Sequence, residues 1–272
     1  MAIKNDQFLK ELQPFSRMTV VPGITVGDLN FASAQSVFST GYIKPSANDT
    51  FAANSEVDLF QAAIGDNGQG LAAGQVMTRS QTNWIDSQGR LPANEVFIGI
   101  RCLVSCFKHT NASAAATSGV SFDGVAGVFS KQAPITDVAA LWAIVHAFSW
   151  EYQTGDGIIR NVGQLAAYPQ GGGVWQSTQP FTAAAGAVVG ASQNAIAAQN
   201  GSPCPSVATE LPIPFMFLPN ITTRVKVKNG SALSVEPTTS VAGSTFDIDG
   251  VGTADYLAIK MTFQGYKLTM PV

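Results

Sequence analysis

The sequence predicts an all-β chain, arranged as two jelly-roll β-barrels in tandem (a double jelly roll) behind a short N-terminal arm. Three observations lead there. Short runs rich in Val, Ile, Phe, Thr and Tyr recur along most of the 272 residues, broken by Gly, Pro, Asn and Asp turn signals, which is the pattern of a sandwich or barrel. Two such runs follow a Leu-Pro step, Leu91-Pro92 and Leu211-Pro212, 120 residues apart (91 to 211), about the size of one eight-stranded jelly roll. Only 12% of residues are charged while 46% are hydrophobic, against about 25% charged in an average domain. Little charge is left to cover an isolated surface. Because the interiors of permanent interfaces are depleted in charge, obligate assembly is the expectation, and a monomer with a neutral Ser/Thr/Asn/Gln surface is the alternative. The expected division is an arm over 1–15, a first barrel over 16–133 and a second over 134–272.

Taken in order, Ile3, Phe8, Leu9, Leu12 and Phe15 fall on one face of a helix, with Lys4, Asp6, Lys10 and Glu11 around the others. This amphipathic arm can pack on its own barrel, on a neighbouring subunit or at a membrane surface, and packing on protein is the favoured expectation. Phe8, Leu9, Lys10 and Leu12 are the candidate membrane or inner-face contacts. MTVVPGITVG reads as two short extended pieces around Pro22-Gly23, QSVFSTGYI and EVDLFQAAI as strands, and GDNGQG as a turn. GQVMTRSQTNW reads as a strand, IDSQGRLP as a turn, and EVFIGIRCLVSCF as a long strand whose apolar face is Val96, Ile98, Ile100, Cys102 and Val104. Residues 110–133 are small and polar and read as a linker. AIVHAFSWEYQ alternates with period two, placing Ile144, His146, Phe148, Trp150 and Tyr152 on one face of a strand. The Ala-rich stretch FTAAAGAVVGASQNAIAAQNGSPCP reads as a helix or an extended surface loop, its glycines weakening the helix. IPFMFLP, RVKVK, STFDIDGVG and YLAIKMTFQGYKLTM return to β character, with Asn229-Gly230 as a hairpin signal.

The chemistry-bearing residues are sparse. His109 and His146 lie on different expected strands, His109 at a strand end on the surface and His146 in a packed stripe, without neighbours at metal-ligand spacing. Cys102 and Cys106 share one strand face about 13 Å apart, beyond disulfide reach, and with Cys204 are expected as buried thiols. Gly68-Gln-Gly-Leu-Ala-Ala-Gly74 lacks the strand and helix that a dinucleotide loop needs. Asp247, Asp249 and Asp255 invite calcium but miss the EF-hand spacing. No nucleophile elbow, zinc-protease or P-loop motif occurs, so neither an enzyme nor a cofactor is expected. A net charge of −3 argues against a specific nucleic-acid partner. Arg224, Lys226 and Lys228 sit at i, i+2, i+4 on one strand face, a solvated face or a contact for an acidic partner or lipid headgroup. MAIKNDQFLKEL does not resemble a signal peptide, so synthesis in a cytoplasm is expected.

With TNWIDSQGRLPANEVFIGIRCLV in the first half, LPIPFMFLPNITTRVKVKN in the second and AIKMTFQGYKLT at the end, the chain resembles a double jelly-roll major capsid protein of icosahedral phages with an internal membrane, of the finnlakevirus or corticovirus kind. The resemblance spans most of the chain as a pattern of strands and turns. It implies a homotrimer whose six upright barrels form a pseudo-hexagonal capsomer in a virion shell, with penton or minor capsid proteins as partners and the arm directed toward an internal lipid membrane. The alternatives are a spike, penton or fibre component, or a carbohydrate-binding β-sandwich suggested by Trp84, Trp142, Trp150 and Trp175.

Overall fold

The computed structural model describes residues 10–46, 49–71, 75–86, 89–109, 132–133, 135, 138–155, 157–169, 174–181, 193–200, 208–235 and 256–271. Eight principal strands carry the fold: β1 (Asn30–Ile43), β2 (Glu56–Leu59), β3 (Glu95–His109), β4 (Phe148–Gln153), β5 (Ile159–Gln164), β6 (Thr209–Phe217), β7 (Arg224–Asn229) and β8 (Tyr256–Thr269). A helix, α1 (Val138–Ala147), runs directly into β4.

The chain is all-β, and its pairing is nested. β1 pairs with β8, β2 with β7, β3 with β6 and β4 with β5, all antiparallel. Further pairs, β3 with β8 and β4 with β7, join these into sheet I, ordered β1-β8-β3-β6, and sheet II, ordered β2-β7-β4-β5. A chain folded into four nested antiparallel pairs and then rolled produces this order, which is that of one jelly roll. The expected boundary at residue 133 therefore does not appear in the strand pairing. Each sheet draws strands from both sides of it, and two barrels in tandem are replaced, among the described residues, by one sandwich spanning Asn30 to Thr269. The Leu-Pro pair is not a repeat either. Leu91 precedes β3 and bridges to Pro219, whereas Leu211 and Pro212 lie inside β6.

Between the sheets lies a continuous core built on aromatic rings. Phe215 of β6 stacks on Phe263 of β8 at 4.5 Å with 12° between planes, and Trp150 of β4 lies 5.7 Å from Phe263. Phe60, directly after β2, and Trp84, before β3, add their rings to the same cluster, Trp84 at 4.5 Å from Phe217. Leu141, Ile144 and Val145 of α1 join it. Each ring buries roughly 150–250 Å², so this core supplies the main driving force for closing the sheets.

β3 is apolar on both faces because its alternation reverses at a bulge. Gly99 pairs with Gly265 and Arg101 with Gln264, leaving Ile100 as the extra residue. Phe97, Cys102, Val104 and Cys106 accordingly face the inter-sheet core, while Val96 and Ile98 face outward. The single apolar face expected from Val96 to Val104 is thus divided. A Cβ on Gly265 would collide with the Ile98 carbonyl, so glycine is required beside the bulge.

That outward face is itself covered. Leu12, Val20, Val26 and Leu29, from the segment before β1, enclose Val96, Ile98, Tyr266 and Leu268. The expected extended pieces around Pro22-Gly23 are there as a small ribbon, Thr19–Val21 with Ile24–Thr25. At the other end, Leu71, Met77 and Ala62 cover Tyr42, Tyr256 and Ala258. The loop supplying them also seals the edge of β1. Tyr42 N–H donates to the Gln69 carbonyl, Phe38 N–H to Asn83 Oδ1 at 2.7 Å, and Asn83 Nδ2 to the Ser36 carbonyl at 2.7 Å. Gly70 makes the approach possible: its φ is +81° and a Cβ there would strike the Tyr42 carbonyl.

Several local expectations are corrected. Ile144 and His146 are helical, in α1, because a short apolar run satisfies a helical period as well as a period of two; the strand begins only at Phe148. Among the described residues of GQVMTRSQTNW only Val76 makes a bridge, to Asn67, in place of the expected strand, and Asn83 serves the edge of β1. Asn229-Gly230 makes no hairpin: β7 pairs with β2 and β4, and Leu233–Ser234 pairs with Thr50–Phe51. Within the Ala-rich stretch, Gln193–Asn200 is a strand paired with Val174–Phe181, where helix or loop was expected.

Two substitutions test this architecture. Ile98→Asp places an unpaired carboxylate in a fully enclosed site and should remove the cooperative thermal transition; a melt within a few degrees of the parent would mean Ile98 faces solvent. Asn83→Ala removes two bonds to the β1 edge and should lower the urea-unfolding free energy by about 1–2 kcal/mol, and an unchanged midpoint would show that the loop does not hold this edge.

Candidate functional site: the outer face of sheet II

β7 alternates as its sequence requires. Val225 and Val227 are buried in the core, and Arg224, Lys226 and Lys228 project outward. The strands beside it are acidic at matching positions: Lys226 lies opposite Asp58 on β2 and Glu151 on β4, and Lys228 lies opposite Glu56. Lys226 Nζ reaches Glu56 at 2.8 Å and Lys228 Nζ reaches Glu151 at 2.8 Å. The hydrogen bond to Glu56 raises the Lys226 pKa, helped by the charges of Asp58, Glu56 and Glu151 and opposed by burial. The basic stripe is therefore a ladder of mixed sign. Its cross-strand pairs hold β2 and β4 in register with β7, while Arg224 stands exposed at its end.

Beside Arg224 is a pocket of about 50 Å³ lined by Glu151, Tyr152, Gln153, Ile159, Arg224 and Lys226. Arg224 pairs with Gln153, and Gln153 with Ile159, so the three form a row across β7, β4 and β5. Ile159 is 60% exposed. Glu151 in this lining is paired with Lys228 and Lys226 with Glu56, so the exposed Arg224 guanidinium and the apolar Ile159 side chain are what the pocket offers a ligand that is both acidic and apolar. The signal in the sequence was the Ile158-Ile159-Arg160 step after Gly157, because two adjacent isoleucines on a strand cannot both face the core.

The arm residues are placed differently. Phe8 and Leu9 lie outside the described residues, Lys10 is exposed, and Leu12 is buried on sheet I. Glu11 accepts a hydrogen bond from the Tyr266 hydroxyl and faces Arg101 at 3.9 Å, and Arg101 in turn pairs with Glu210 of β6 at 3.3 Å. Burial, with the bond to Glu11, pushes the Tyr266 phenol up to about 12.

His109 ends β3 as expected but is buried, 4.8 Å from the Tyr42 ring, where the sequence placed it at the surface. His146 lies 4.3 Å from Trp142 on α1. Among the described residues no three His, Cys, Asp or Glu side chains gather as a metal site, and no helix is long and apolar enough to cross a membrane. Asp247, Asp249, Asp255 and Cys204 lie outside the described residues, as does most of the expected linker. Trp84 and Trp150 are buried in the core, and Trp142 is 57% exposed.

No protein-family model matches the chain, and no curated protein matches it. Among solved structures, the infectious bursal disease virus VP2 subviral particle aligns with 97% of this chain and 84% of its own at 8% identity, with a TM-score of 0.13. At that score the alignment carries no argument.

Burial raises both described thiols, Cys106 to about 12. Iodoacetamide at neutral pH should therefore leave Cys102 and Cys106 unlabelled in the folded chain and label both after denaturation. Peptide mass spectrometry reads this directly, and native labelling of Cys106 would contradict the packing of β3.

Proposed function

We propose that the chain is a virion structural protein, a major capsid protein whose copies assemble into an icosahedral shell. The nested strand order with a filled interior carries this reading. Jelly rolls recur as capsid, lectin and cupin domains. An internal ligand site needs room between the sheets, and here that space is occupied by Phe60, Trp84, Phe97, Trp150, Phe215, Phe217 and Phe263. Function is then carried by outer surfaces. With 12% charge those surfaces suit broad contacts between subunits, and assembly in place of catalysis needs no cofactor.

The resemblance counts two barrels per chain and three chains per capsomer. One sandwich per chain makes six copies the equivalent ring, so the homotrimer gives way to a capsomer of whole copies unless the shell is built on another symmetry. Penton or minor capsid proteins would close the remaining positions. The chain is made in the host cytoplasm and resides in the virion. Contact with an internal lipid membrane falls to Phe8, Leu9 and Lys10, since Leu12 is engaged on sheet I. Arg224 is the member of the basic trio best placed for an acidic partner. A carbohydrate-binding sandwich is the second reading, favoured by exposed Trp142 on α1.

Electron microscopy of the purified chain, with sedimentation velocity across a concentration series, tests the proposal. Rings or closed shells are expected. A chain that stays monomeric at every concentration overturns it, and binding on a glycan array by such a monomer would favour the sugar-binding alternative. In virions, the chain should be the dominant band on a stained gel; a few copies per particle would make it a spike, penton or fibre component.

A further inference from the structure

The four outer strands of the two sheets are not equally available. The β1 edge is bonded to the loop residues Gln69 and Asn83, and β2 is only four residues long. β6 is barred from adding another strand by Pro212 and Pro214, which offer no N–H. Between Glu210 and Phe215 its register with β3 breaks. That break turns Glu210, Pro212 and Ile213 outward. Ile213, at 67%, is the most exposed large hydrophobic among the described residues, and the Glu210 side chain is 78% exposed.

We propose that a second copy of the chain is the occupant of the sheet II pocket, and that it enters with this Glu210–Ile213 edge. Ile213 packs on Ile159, and Glu210 meets Arg224. The proposal rests on the reading that the chain assembles with itself and names the contact by which it does so. Charge and polarity both match: Glu210 offers a carboxylate to the Arg224 guanidinium, and exposed Ile213 offers an apolar side chain to exposed Ile159. Glu210 already pairs with Arg101 at 3.3 Å, and its second oxygen leaves it able to bridge two guanidinium groups. The knob lies on sheet I and the pocket on sheet II, so each contact leaves one free knob and one free pocket. A contact between unlike patches generates closed rings where its rotation closes and extended lattices where it does not.

Sedimentation velocity on the purified full chain over a dilution series tests this, with thermal melts to confirm folding. Arg224→Glu and Ile213→Ser should each weaken self-association about tenfold or more, and Arg224→Glu combined with Glu210→Lys should recover to within about threefold of the parent. If Glu210→Lys fails to fold beside Arg101, the Arg224→Glu and Ile213→Ser variants still decide the matter. Association like the parent's in those two variants overturns the docking, and if they also form closed shells the capsid reading stands without it. Loss in both single variants without recovery in a folded double variant overturns the Glu210–Arg224 pairing. Weakened association in the variants of a parent that forms only open oligomers supports the docking and overturns the shell. A parent that is monomeric throughout overturns both.

Discussion

The sandwich depends on β8 lying between β1 and β3. Its fourteen residues pair with β1 from Leu257 to Thr269 and with β3 from Tyr256 to Thr269. Leu257, Ile259, Met261 and Phe263 enter the inter-sheet core, and Phe263 touches rings from β4 and β6. Sheet I is therefore two disconnected pieces until a strand some 230 residues from β1 in sequence arrives. Contacts of such separation make folding slow, because loop closure must precede the burial that rewards it. Until then β1 and β3 each present an unpaired inner edge, the state in which association with other chains does most harm.

A second constraint follows from the bulge at Ile100. Reversing the alternation of β3 lets one strand place Phe97 and Cys102 inside while Val96 and Ile98 remain outside. An outer face of this kind cannot be left to water, so the segment before β1 becomes part of the fold, as the loop between β2 and β3 does separately over Tyr42, Tyr256 and Ala258. The polar ties fit that role. Glu11, Tyr266, Arg101 and Glu210 join the first segment to β8, β3 and β6, and Asn83 ties the loop to the β1 edge. Leu12 is buried in the apolar cluster with Val96, Ile98 and Leu268, so an arm residue that the sequence offered to a membrane is packed on protein.

The sequence patterns located strands well and partners poorly. β1, β3, β6, β7 and β8 were each legible as runs of β-branched and aromatic residues, because a strand's preference is written in its own residues. Which strand pairs with which is not written locally, so a nested roll and two successive barrels present the same series of runs. The bulge was invisible for a related reason: one added residue changes which face is inward without changing composition. Val138–Ala147 was misassigned because its apolar residues satisfy either period over so short a length. In the candidate site, the outward stripe Arg224, Lys226, Lys228 was legible from alternation alone. Its neutralisation by Glu56 and Glu151 was not, since those carboxylates lie about 170 and 75 residues away.

The treatment of the edges also bears on how such a chain can associate. Backbone pairing between copies is indifferent to side chains and continues without limit, and prolines or covered edges are the usual guards against it. Here Pro212 and Pro214 stand on β6, and Asn83 and Gln69 occupy positions that an added strand on β1 would need. In the proposed assembly, association is moved from the backbone to side chains, where geometry and charge would set both the partner and the angle between copies, as a shell would require. With few charges in the whole chain, an exposed glutamate beside an exposed isoleucine is a distinctive address, and like-charge mismatch excludes wrong registers more strongly than the matched pair adds affinity.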